Sequence, residues 1–186
     1  MPELFIPVIL GTAREGRQSE KVANYIFRQL QNFTEVEHQF IDVREFVREP
    51  RTYAPGMSNA GADAWREIAQ RADGFILVTP EYNHGYPGEL KLLLDMAEKE
   101  YEQKVVALVG VSSGSFGGVR VIEQLQPILN NLRMVPVPKP VVFPNVEEVF
   151  DNDGNLLDQK YEKRIEDYLK RIIEYTRDIK IIREKK

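Results

Sequence analysis

Apolar residues follow two alternating rhythms along the chain. Leu4–Leu10, Phe75–Val78 and Lys104–Val111 are near-continuous apolar runs. Such runs mark strands covered on both faces, as in a parallel sheet. Between them, apolar positions recur at helical spacing: Val22, Ala23, Ile26, Phe27 and Leu30 in a helix expected over Glu20–Gln31, and Ala64, Trp65, Ile68, Ala69 and Ala72 in one over Asp63–Ala72. Further helices are expected around Leu90, Leu93, Leu94 and Ala97, and over Val119–Leu132. Val36–Asp42 alternates only loosely and reads as a second strand near an edge. Val135–Phe143 reads as the last strand, short and at an edge because Pro136, Pro138 and Pro140 withhold ladder donors. Pro7 is awkward inside the first strand for the same reason.

The alternation of strand and helix predicts an α/β fold with a doubly wound, five-stranded parallel sheet of flavodoxin-like order 2-1-3-4-5. A single domain over residues 1–186 is expected, with its core at about 4–143. Two stretches stand outside this rhythm. Arg44–Gly61, with Pro50, Pro55, Gly56 and Gly61, is expected to be a long loop, and loops of that length often serve as lids or interfaces. The long C-terminal helix, about Asp158–Arg183, repeats Tyr161, Ile165, Tyr168, Ile172, Tyr175, Ile179 and Ile182 at alternating spacings of four and three. This heptad seam is expected to cover the sheet with one part and to meet another subunit with the rest.

Composition narrows the function. The chain has 186 residues, a formal net charge of −4 and no cysteine. There is no basic field for nucleic acid. Thiolate metal sites, disulfides and cysteine nucleophiles are excluded. No apolar run approaches the ~18 residues of a membrane span. The N-terminal stretch lacks a basic lead, so it does not read as a signal peptide. A soluble cytoplasmic protein is expected. Asp151–Asn155 resembles a calcium loop superficially, but Leu156 stands where such a loop needs glycine. No metal site is expected.

Chemistry concentrates at the carboxyl ends of three strands, where an open parallel sheet binds its ligands. After the first strand comes Gly11-Thr12-Ala13-Arg14-Glu15-Gly16-Arg17-Gln18-Ser19. It leads into a helix with Ser19 as its expected cap, and its donors suit a phosphate. The two glycines have P-loop spacing, but Arg17-Gln18 stands where Lys-Ser/Thr is needed, so triphosphate hydrolysis is not indicated. The dinucleotide fingerprint is also absent. After the third strand, Thr79–Gly85 offers Pro80, Glu81, Tyr82, Asn83 and His84, a flat aromatic face beside an amide hydrogen bonder. After the fourth, Ser112–Gly118 offers small donors and glycines for close backbone approach. One loop suits a phosphate and two suit a flat polar ring, which together describe a flavin mononucleotide. Trp65 reads as core or interface and His38 as a partly exposed strand residue.

The stretches Gly11-Thr12-x-Arg14…Ser19, Thr79-Pro80-Glu81-Tyr82-Asn83-His84-Gly85-Tyr86-Pro87-Gly88 and Ser112-x-Gly114-x-Phe116-Gly117-Gly118-x-Arg120 resemble the NADPH-dependent FMN reductase family. The resemblance covers roughly residues 4–143. It implies FMN as cofactor and NADPH or NADH as co-substrate, with a hydride delivered to the flavin N5. Electrons then pass to a small acceptor such as a flavin, quinone, azo compound or metal oxyanion. By that resemblance Thr12, Arg14 and Ser19 hold the phosphate, with Arg17 and Gln18 as further donors from a loop longer than the usual family form. Pro80, Glu81, Tyr82 and Asn83 lie against the ring system, and Ser112, Ser113, Gly114 and Ser115 border its other edge. No side chain needs to act as nucleophile or general base. His84 is either a contact for nicotinamide or acceptor, or an ordinary loop histidine. The family commonly pairs, so a homodimer or homotetramer is expected. Two other readings stay open on the residues alone: an electron carrier that binds FMN without oxidising NAD(P)H, and a phosphate-binding regulator without flavin.

Overall fold

The computed structural model describes residues 2–51, 53–54 and 57–185. Its elements run β1 (Leu4–Leu10), α1 (Ser19–Leu30), β2 (Val36–Asp42), α2 (Val43–Phe46), α3 (Ala60–Arg71), β3 (Gly74–Pro80), α4 (Gly88–Leu94), β4 (Val105–Val111), α5 (Val119–Asn131), β5 (Val135–Pro136), β6 (Val141–Phe143), α6 (Val146–Val149) and α7 (Lys160–Glu184). The sheet order is β2-β1-β3-β4-β5 with all pairings parallel, and β6 also pairs with β4. The flavodoxin-like order expected from the sequence is therefore present, with β2 at one edge.

Every residue of β1, β3 and β4 is buried, because helices cover both faces of the sheet. Leu4, Ile6, Val8 and Leu10 point to the side of α1 and α7, with Val22, Ile26, Ile165 and Ile172. Phe5 and Ile9 point to the side of α3, α4 and α5, with Trp65, Leu93 and Leu125. The period-2 alternation of a strand thus feeds two separate cores. Pro7 fits because of its parity. Phe5 and Gly11 donate toward the β3 side, to Asp73 Oδ2 and Val78 O. Pro7 faces the same way, but the β1–β3 ladder begins only at Val8–Ile76, so its missing N–H lies beyond the ladder's end.

Three expectations need correction. The last strand is two pieces: register pairs Val105 with Val135 but Val109 with Val141, so the chain gains two residues between them. Pro138 and Pro140 and the left-handed Lys139 (φ +56°) occupy the break, where a continuous ladder cannot form. The stretch 44–61 is not loop throughout. Asp42 caps α2 by accepting the Arg44 N–H, and Asn59 caps α3 by accepting from Gly61 and Ala62, so helix occupies both ends. Pro55 and Gly56 of that stretch lie outside the described residues. The third strand also extends through Thr79 and Pro80, which pair with Gly110 and Val111.

Helix α7 buries Tyr161, Ile165, Tyr168, Leu169, Ile172, Ile173 and Thr176 and then emerges, leaving Tyr175, Ile181 and Ile182 exposed. Its far end is tied to the amino-terminal edge of the sheet, where Lys180 and Arg183 pair with the nearly buried Asp73 at 3.0 and 2.7 Å. Among the described residues no helix is long and apolar enough to cross a membrane.

Candidate flavin site

The order 2-1-3 makes β1 and β3 neighbours whose following connections leave in different directions, and a cleft opens between their carboxyl ends. It measures about 300 Å³ and is lined by residues 14–19, 80–82, 111–113 and 146–147. Nine of the residues singled out from the sequence meet here: Arg14, Arg17, Gln18, Ser19, Pro80, Glu81, Tyr82, Ser112 and Ser113.

Four others do not line it. Thr12 is fully buried behind the cleft, where its Oγ1 accepts the Arg14 N–H at 3.2 Å and bonds the Tyr82 hydroxyl at 3.0 Å. Asn83, Gly114 and Ser115 are exposed outside the lining.

The most telling side chain in the cleft is Ser19. It is 1% exposed, and its Oγ has no hydrogen-bond partner. It does not cap α1 as expected; Gln18 occupies the cap position and makes no side-chain cap bond. Buried hydroxyls are rarely left unpaired, and this one stands at the positive end of a twelve-residue helix. The Gln18 amide is likewise unpartnered through Oε1; turned over, it presents two N–H donors. Arg14 is exposed, forms no ion pair among the described residues, and lies 5.1 Å from the centre of the Tyr82 ring. These donors fit a phosphate.

Two charged residues are committed elsewhere. The Arg17 guanidinium, 2% exposed, donates to both oxygens of Asp42 and pairs with Glu20 at 3.4 Å. Burial acts to lower its basicity, but the bonds to Asp42 and Glu20 prevail and raise it. For Asp42, burial would raise the carboxyl, yet the Arg17 hydrogen bonds and the Arg44 N–H hold it below the usual carboxylate range. Arg17 therefore braces the loop instead of offering its charge to a phosphate. Glu81 is similarly engaged: its side chain is 8% exposed and accepts from the Arg120 N–H at 3.2 Å and Nη1 at 3.1 Å. Gly118, the cap position of α5, has no side chain to cap it, so Glu81 supplies the missing cap from another element.

The other edges of the cleft are built by turns. Tyr82 and Gly85 exchange both backbone hydrogen bonds at 2.9 Å, with Asn83 and His84 at φ +49° and +66°. That is a two-residue hairpin of type I′, usually carried by Asn-Gly. Having His84 in the left-handed region is a local strain of the kind that collects at ligand sites. The glycines of the 112–118 loop serve the scaffold more than the cleft. At Gly118 (φ +85°) an added Cβ would stand 2.8 Å from Val111 N, and at Gly117 (φ +62°) 2.8 Å from Pro144 N. Sequence reasoning missed Val146 and Glu147 of α6, which form part of the cleft wall. The left-handed Asn145 that precedes them (φ +46°) is the one local signal, and it follows a strand whose end the prolines obscure.

A family model for NADPH-dependent FMN reductases matches residues 5–148. The chain belongs to this family. It is thus an oxidoreductase that uses FMN, with NAD(P)H as co-substrate. An NAD(P)H-dependent FMN reductase of Pseudomonas aeruginosa is 34% identical over 133 residues, covering 69% of this chain and 71% of that one. A 2-hydroxy-1,4-benzoquinone reductase from a Burkholderia species is 24% identical over 184 residues, 96% of this chain and 99% of its own. Among solved structures, the flavoenzyme NAD(P)H:(acceptor) oxidoreductase FerB of Paracoccus denitrificans superposes with a TM-score of 0.80 at 18% identity, covering 94% of this chain and 98% of that chain. The FMN reductase relationship leaves α7 outside the matched region.

Proposed function

We propose that the reductase holds FMN in the 14–19/80–82/111–113 cleft and passes electrons from NAD(P)H to a small quinone-type acceptor. The observation that carries this reading is the buried, unpartnered Ser19 hydroxyl at the head of α1, inside the cleft at the switch point. Ser19 Oγ and the Gln18 amide would donate to the phosphate, and Arg14 would supply the charge. Tyr82, fixed by Thr12, would flank the ring system together with Pro80 and the Ser112–Ser113 backbone. Asn83, Gly114 and Ser115 belong to the outer rim of the same site.

When bound, FMN supplies the hydride-accepting chemistry. The chain's part is to bind, orient and leave the ring approachable. Glu81, turned away toward Arg120, keeps its carboxylate bonded away from the charge that gathers on a reduced ring. The quinone class is supported by the Burkholderia relative's acceptor. Self-association through the exposed Tyr175, Ile181 and Ile182 of α7 and a cytoplasmic setting for this cysteine-free chain are parts of the same reading. The test is anaerobic NADPH and NADH oxidation with a benzoquinone, an azo dye and free FMN as acceptors. Fastest turnover with the quinone is expected. Oxidation with FMN alone would refute the acceptor class.

A further inference from the structure

We infer that Arg44 is a positioning residue for the phosphate end of FMN: from behind the 12–15 loop, together with Arg17, it holds that loop's backbone carbonyls away from the anion. The inference rests on the phosphate placement proposed above. Three consecutive loop carbonyls are taken by the two guanidinium groups. Arg17 Nη1 donates to Thr12 O; Arg44 donates to Ala13 O through Nε and Nη2 at 3.1 and 2.9 Å, and to Arg14 O through Nη2 at 2.9 Å.

A trans peptide is planar, so each carbonyl opposes the N–H of the following residue. With the carbonyls of 12, 13 and 14 facing the arginines, the N–H groups of Ala13, Arg14 and Glu15 face the other way, and the cleft lining starts at Arg14. The Arg14 N–H is taken by Thr12 Oγ1. Those of Ala13 and Glu15 meet no protein acceptor among the described residues. Successive N–H groups turned to one side make an anion-binding concavity.

One carboxylate organises both arginines. Asp42, the last residue of β2, accepts the Arg44 N–H at 3.0 Å and holds the Arg17 guanidinium. Arg44 thereby stands at a fixed place beside the loop, its side chain 37% exposed and also paired with the exposed Glu15 carboxylate at 3.3 Å. Removing it would free the Ala13 and Arg14 peptide planes to turn a carbonyl toward the anion, and an anion is repelled by that dipole. Arg44 touches no ligand in this account; it acts through the loop backbone.

The test is a titration of apo protein with FMN and with riboflavin, which lacks the phosphate, for wild type, Arg44→Ala and Arg44→Lys. Flavin fluorescence quenching reads the affinity, and a urea melt confirms folding. The wild type should prefer FMN. Arg44→Ala should weaken FMN about tenfold or more, the effect of losing one or two anion hydrogen bonds, and leave riboflavin within about twofold. Arg44→Lys, able to donate to one carbonyl, should recover part of the loss. Equal weakening of both flavins, or undiminished FMN binding, overturns the role given to Arg44. A wild type that binds FMN and riboflavin alike overturns the phosphate placement itself.

Discussion

Glu81 makes the sharpest stability test, because one carboxylate joins the loop after β3 to the start of α5. Glu81→Ala removes the acceptor for the Arg120 N–H and for Arg120 Nη1, bonds of 3.2 and 3.1 Å. The lost cap is worth about 0.5–2 kcal/mol and hydrogen bonds to charge about 1.5–3. The two ranges overlap, and Arg120 at 36% exposure can recover water, so about 2 kcal/mol is expected. For a chain of this length that is a fall in Tm of about 4–8 °C. Arg120→Ala should cost more, about 3 kcal/mol, because it strands a nearly buried carboxylate on a single N–H. Glu81→Gln keeps one oxygen, enough to accept the Arg120 N–H, and loses the oxygen that Nη1 uses, so it should cost about 1 kcal/mol. The assay is urea unfolding of the apo protein followed through Trp65, the one tryptophan, which is fully buried. Glu81→Ala within about 0.5 kcal/mol of wild type, or Glu81→Gln as damaging as Glu81→Ala, would refute the capping role.

Two further outcomes follow from other parts of the fold. Ser19→Ala should leave the apo protein as stable as wild type or slightly more so, since Oγ is buried without a partner, while weakening FMN about tenfold; a clear loss of apo stability in urea would count against it. Lys104, 5% exposed, donates to Ala69 O and Gln70 O at 2.6 and 2.7 Å, and burial, helped by the Arg183 charge and opposed by Asp73, lowers its ammonium to about 8. An unfolded lysine titrates near 10.4. Between these values the unfolded chain binds more protons, so this group makes the fold more stable as pH rises through that window. The stability difference between wild type and Lys104→Met, measured in urea at pH about 7.5 and about 10, should move in favour of wild type at the higher pH; an unchanged difference would remove the effect.

What the sequence disclosed followed from local pattern. The buried strands announce themselves as unbroken apolar runs, and their alternation with helical spacing suffices for the 2-1-3-4-5 order. The three site loops were visible because each follows such a run. What stayed hidden depends on contacts between distant residues. Arg17 looks like a phosphate donor until Asp42, twenty-five positions on, is seen to hold it. Glu81 looks like a ligand contact until α5 is seen to lack its own cap. Arg44 lay inside a stretch read as loop, so its grip on the Ala13 and Arg14 carbonyls had no local sign. The hairpin at Asn83-His84 escaped notice because histidine stands where glycine normally signals the turn. The α7 heptad overstated its seam. A straight helix drifts against a seven-residue repeat, so Thr176 is buried in place of Tyr175.

The central claim, a flavin reductase built on this cleft, is most directly tested by the visible spectrum of the protein after equilibration with FMN and gel filtration. The spectrum is recorded anaerobically before and after NADPH, and then NADH. Retained flavin absorbance that bleaches on adding either nucleotide is the expected result. A colourless protein that retains no FMN, or bound FMN that neither nucleotide bleaches, would contradict it.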